Sequence, residues 1–178
     1  RSGPRKRSRP ELAAEIKIPP RSVRDLGARD GARLVDLARE AMVTRSRDLD
    51  AFAHGDPRDV RIVDDGDGLA FALIGVQPEH RLFLPAVYGA LTLRNGVPIG
   101  YVQLDVLFGN AEVSYNTFET FRGGEAGFAF CRLLAAVRHL FDVTSFSIEP
   151  YQLGRGNDEG IDSGAWWFYA RFGFRPRD

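Results

Sequence analysis

Cysteine is the scarcest chemistry in this chain: 178 residues hold only Cys131, with three scattered histidines, His54, His80 and His139. No disulfide framework, zinc cluster or iron–sulfur site can be assembled from that material, so the expectation is a metal-independent protein of the cytoplasm. Lysine is nearly missing as well. Lys6 and Lys17 are the only two, and with the remaining basic charge all arginine, a lone arginine carries little weight as a site marker. The 24 basic and 24 acidic residues cancel, which leaves no overall field to draw the chain to nucleic acid or a membrane. Long apolar runs are lacking too. The most apolar helical stretch, Ala126 to Phe141, is interrupted by Arg132, Arg138 and His139, short of the roughly 20 residues that cross a bilayer. A membrane partner is not expected.

What is present begins with an asymmetry. Five basic residues and no acid fall in the first ten positions, so the rest of the chain carries 19 basic and 24 acidic groups, a net of −5. Residues 1–20, rich in Arg, Ser and Pro and ending in Pro19-Pro20, read as a flexible basic arm ahead of a single domain over 21–178. Such an arm can grip phosphates, but the acidic remainder disfavours nucleic acid as a partner. The chain opens on Arg1 rather than Met, which reads as a processed chain or a piece of a longer one with a neighbouring domain; a homodimer is also open.

Periodicity organises the remainder. Ala32, Leu34, Val35, Leu37, Ala38 and Ala41 recur at helical spacing between Arg29 and Val43, with Asp30 as an N-terminal acid or cap. Short β-rich runs follow: Val60 to Val63, a turn at 64–68, then Leu69 to Val76, and after them Val87 to Leu93, the turn Asn95-Gly96, and Ile99 to Phe108. A strand from Ala111 to about Thr117 completes an antiparallel meander. Phe130, Leu133, Leu134, Val137, Leu140 and Phe141 then share one helix face, with Arg132 and His139 off it. Val143 to Ile148 reads as a strand closed by Pro150. A last helix is expected to begin near 157–163 and stop at Gly173, with Ile161, Ala165, Phe168 and Phe172 as its apolar stripe. The fold class is therefore α+β, a mixed and largely antiparallel twisted sheet flanked by helices in α/β/α layers.

Two stretches carry chemistry. At the joint between the last meander strand and the buried helix stands Arg122-Gly123-Gly124-Glu125-Ala126-Gly127, where small residues and a helix start can receive an anion or simply make a turn. The C-terminal helix carries Ala165, Tyr169, Gly173 and Phe174, read on its own as a core helix with a glycine C-cap. The loop 151–160 is polar and glycine-rich, and Asn157 there reads first as a helix cap. Cys131 reads as a small buried residue.

In this order and separation the two stretches resemble the GNAT superfamily of acyl-CoA-dependent N-acyltransferases. That family places Arg/Gln-x-x-Gly-x-Gly/Ala between its fourth strand and the next helix. Arg122 and Gly127 match it, Gly123 and Gly124 add small residues, and Glu125 stands where the family has glycine. The spacing from Ala165 to Tyr169 to Gly173-Phe174 matches the family's closing helix, and the resemblance spans roughly residues 87 to 176. It implies acetyl-CoA or another acyl-CoA as cosubstrate and a small-molecule or peptide amine as acceptor. The N–H groups of Gly123, Gly124, Glu125, Ala126 and Gly127 would hold the pyrophosphate, with Arg122 also binding the cofactor, and Tyr115, Asn116 and Thr117 would line the pantetheine arm. Arg155 and Asn157 would touch a cofactor phosphate or the acceptor. Tyr169 would protonate the departing thiolate, its phenol pKa of about 10 lying close to that of a thiol. Glu112, and next Glu149, would take the amine proton. The alternative, drawn from Glu125, is a binding or interaction domain of the same fold with a degraded cofactor site.

Overall fold

The computed structural model describes residues 10–44, 49–121, 125–162 and 164–176. In chain order the elements are α1 (Leu12–Glu15), β1 (Ser22–Asp25), α2 (Ala28–Val43), α3 (Asp50–Ala53), β2 (Gly55–Gly66), β3 (Leu69–Val76), β4 (Ala86–Arg94), β5 (Val97–Leu107), β6 (Asn110–Thr117), α4 (Ala126–Phe141), β7 (Ser145–Ser147), α5 (Asp158–Asp162) and α6 (Ala165–Ala170). The seven strands form one open sheet in sequence order. Every neighbouring pair is antiparallel except β6 and β7, which run parallel with α4 as their crossover. This is the α+β class that the periodicity predicts.

Alternation along each strand sends side chains to two cores. Val63, Phe71, Leu73, Val102, Leu104 and Val113 meet Phe130, Leu133, Leu134 and Val137 of α4. On the other face Val60, Ile74 and Leu91 meet Val35, Ala38 and Met42 of α2 and Phe52 of α3. Each fully buried side chain of this size stabilises the fold by about 1.5–3 kcal/mol. Backbone conformation completes the frame: the β4–β5 turn has positive φ at both Asn95 (50°) and Gly96 (80°), as an Asn-Gly hairpin requires.

Several elements differ from the sequence expectation. Strand β1 pairs with β2, but all four of its residues are exposed, so no burial pattern announces it. Leu12 and Ile16, at and beside α1, pack on the α4 side of the core, and so residues 12–16, expected within a free arm, are docked; residues 1–9 lie outside the described set. The anchor is Arg132, which pairs with both carboxylate oxygens of Asp65 at 2.7 and 2.8 Å and donates to the carbonyls of Glu15 and Pro19. The strand expected over 143–148 pairs only over Ser145–Ser147. Asp142 ends α4 in the left-handed region, and Pro150 has no N–H to extend the ladder. The last helix is two short ones, α5 and α6, parted where Gly164 takes φ 72°. Ile161, expected in their apolar stripe, is exposed.

Candidate functional site

β6 and β7 share only three pairs, Asn110 with Ser145, Ala111 with Phe146 and Glu112 with Ser147. Beyond Glu112 the two chains separate, because β7 runs into Glu149 and the 3-10 turn Pro150–Leu153. A cleft of about 630 Å3 opens in the gap, walled by Tyr115, Asn116 and Thr117 on one side and by Gln152, Phe168 and Tyr169 on the other, with Ala126 at its end. In an antiparallel ladder, successive residues present their backbone groups to alternate sides. The N–H and C=O of Tyr115 point into the gap, and so, by that alternation, do those of Thr117.

Tyr169 stands in this gap. Its hydroxyl accepts from the Tyr115 N–H at 3.1 Å and lies 3.0 Å from the Tyr115 carbonyl and 2.5 Å from Gln152 Oε1, which compete for its single proton. Gln152 Nε2 donates in turn to Ser114 Oγ. Helix α6 is seated by ring packing: Phe168 stacks on Tyr115 at 5.6 Å with 4° between planes, and both meet the edge of Phe130. Burial holds the Tyr169 phenol well above the ordinary tyrosine range and pushes Tyr115 up to about 12. Both stay protonated at neutral pH.

At the start of α4 the electrostatics are set by two arginines. Arg94, at the end of β4, donates to Glu125 Oε1 at 3.0 Å, which binds the carboxylate to a cation. Arg171 lies over the rings of Phe168 and Phe172, at 4.6 and 5.0 Å. A Cβ built on Gly127 would come within 3.1 Å of its Nη2, so this guanidinium covers the first turn of α4. Gly127 is what permits that approach.

Of the sequence-predicted site residues, Tyr115, Asn116, Thr117, Ala126, Glu149, Asn157 and Tyr169 all line the cleft. Arg122, Gly123 and Gly124 lie outside the described residues. Glu112 faces the side of the sheet away from α4 and does not line the cleft; burial, then Asp105 and Glu149, raise its pKa. Asp105 is its direct partner across β5 and β6. Arg155 is exposed and does not line the cleft either. Asn157 acts as the cap of α5, accepting from the Gly160 N–H at 2.8 Å and donating to the Tyr151 carbonyl at 3.0 Å. Cys131 is buried with its thiol pushed up to about 11 by desolvation, which removes it as a nucleophile.

Sequence reasoning missed Gln152, Arg94 and Arg171. Gln152 stood in a loop without pattern, and the arginines were discounted in a chain whose basic charge is nearly all arginine. Among the described residues, no group of three or more metal-ligating side chains comes together, and no helix is long and apolar enough to cross a membrane. The chain matches no protein-family model and no curated protein.

Proposed function

We propose that this chain moves an acyl group from acyl-CoA to an amine by direct attack within a ternary complex. The observation that carries the reading is the parting of β6 and β7 after three pairs, with a strand edge, a buried phenol and the start of a 16-residue helix on its walls. These groups match the chemistry of the cosubstrate part by part. Amides of an extended pantetheine chain pair with the backbone groups of Thr117 as a strand would, and with those of Tyr115 once the Tyr169 hydroxyl leaves them. The first turn of α4, with Arg171 over it, draws a pyrophosphate. The fit is not opposed by Glu125, whose carboxylate is held by Arg94.

The chain's own groups supply the proton transfers. The acceptor nitrogen forms its bond to the thioester carbon and gives its proton to Glu149 in the cleft, or through it to Glu112. As the C–S bond breaks, the Tyr169 O–H gives its proton to the departing sulfur, after leaving Tyr115 or Gln152. A raised phenol pKa keeps that proton in place until the thiolate forms. The acceptor class is a small-molecule or peptide amine, and the proposed setting is the cytoplasm.

A second reading, a binding domain of this fold without turnover, is favoured by one contact: the Tyr169 hydroxyl already holds both backbone groups of Tyr115. Calorimetry with acetyl-CoA and free CoA separates the two. Binding by the parent chain, weakened several-fold in Arg94→Ala and restored in Arg94→Ala/Glu125→Gly, supports the cosubstrate site. Absence of binding at roughly millimolar ligand, with no rise in melting temperature, rejects it.

A further inference from the structure

At the end of the sheet away from the cleft, apolar side chains stand in solvent. Phe83 has 107% of its reference surface exposed and Phe108 has 89%, with Leu82 and Leu84 also exposed. Ala86 faces Val106 across β4 and β5, so Leu84 and Phe108 lie two positions beyond the same end of one strand pair. Phe108 takes φ 46°, a conformation that a bulky residue adopts only at a cost. The four side chains present roughly 500 Å2 of apolar surface, at the upper end of what a monomer leaves uncovered and about the apolar centre of an interface of standard size.

Beside Phe83 is a hole. Leu82, Leu84, Ala86 and Tyr88, together with the Asp59–Arg81 ion pair, line a pocket of about 200 Å3, larger than the ~150 Å3 cavity known to accept benzene. Phe83 does not fill it, being wholly exposed. Knob and hole on one surface are the requirement for an isologous contact, in which each copy gives what it receives. The charged groups around the loop alternate in sign: Asp56 with Arg58, and Asp59 with Arg61 and Arg81, while Glu79 acts on Arg58. Three acids against three bases, paired within the chain, cancel, so this surface gives anionic lipid headgroups nothing to hold and does not repel a second copy of itself.

We propose that the chain forms a two-fold dimer through this end of the sheet, each Phe83 ring seated in the other copy's pocket against Leu84 and Tyr88. The contact is independent of the acyl-transfer reading and leaves the cleft open at the far end of β6.

Sedimentation velocity of the full chain across roughly 1 to 200 µM tests it. The expected result is a concentration-dependent dimer. Phe83→Ser removes the knob and Ala86→Trp fills the hole from an exposed position, and each weakens association on the order of 30-fold or more with an unchanged circular dichroism spectrum. An equimolar mixture of the two variants, one ring facing one open pocket, associates more tightly than either variant alone. A parent chain that stays monomeric over the whole range overturns the proposal, as does a dimer indifferent to Ala86→Trp. Flotation of a monomeric parent with phosphatidylcholine vesicles, lost in Phe83→Ser, overturns it in favour of a lipid surface.

Discussion

The hydroxyl of Tyr169 occupies both backbone groups of Tyr115, 54 residues earlier in the chain, at 3.1 Å from the nitrogen and 3.0 Å from the carbonyl oxygen. One side chain thereby substitutes for the next strand at the point where β7 has turned away. Removing the hydroxyl leaves a buried donor and acceptor without it, a loss of about 1–3 kcal/mol. Tyr169→Phe is therefore expected to melt some 3–8 °C lower, while keeping acyl-CoA binding and losing at least about 100-fold in turnover. Turnover equal to the parent's would take the acid role away from Tyr169.

Glu112 yields a pH-dependent prediction. Its folded pKa lies above the ordinary glutamate value, first through burial and then through Asp105 and Glu149. The folded state thus binds this proton more tightly than the unfolded chain does. The corresponding stability is present in full below the unfolded pKa and is lost as pH rises through the folded one. Glu112→Gln carries no charge in either state, so its melting temperature relative to the parent should rise between pH 4 and pH 7. A constant difference across that window would show that Glu112 is not perturbed.

Arg132 and Asp65 form a pair whose side chains are 5% and 3% exposed. Breaking such a pair leaves a buried charge without compensation, at about 3–5 kcal/mol. Arg132→Met should lower the melting temperature by roughly 10 °C or more and expose residues 12–20 to proteolysis, since the carbonyls of Glu15 and Pro19 lose their donor. Arg132→Met/Asp65→Leu should recover most of the stability but not the protection of that segment. Both are read by thermal melts and limited proteolysis.

Gly31 sits in α2 with the Pro57 carbonyl oxygen 2.0 Å from where a Cβ would be. Alanine ordinarily stabilises a helix interior by up to about 1 kcal/mol over glycine. Here the sign reverses. Gly31→Ala must lift α2 from β2 and is expected to cost about 2–3 kcal/mol, measured by urea unfolding. Gly127→Ala meets only the far ends of Arg171 and Phe172, at 3.1 Å, and its cost should be smaller.

The meander, α2 and α4 were legible in the sequence because each buries one face against a sheet, and that burial prints a period of 2 or 3.6 along the chain. Asn95-Gly96 was legible because its turn backbone, with positive φ at both residues, restricts residue type. β1 and the docked segment around α1 were not, since the first has no buried face and the second is held by a charged pair 67 residues apart in sequence. The break between α5 and α6 was hidden because Ile161, Ala165, Phe168 and Phe172 recur near helical spacing across Gly164, although Ile161 is exposed. Composition and pattern by themselves determined the class of the fold and the order of its main elements, whereas a common site for Tyr115, Ala126, Glu149 and Tyr169 was implied only by the family resemblance. Only the tertiary structure decided that β7 leaves β6 after three pairs, that Glu125 is turned to Arg94 and that Glu112 lies on the other face of the sheet from α4. Those are outcomes of long-range packing and pairing between residues that share no local pattern.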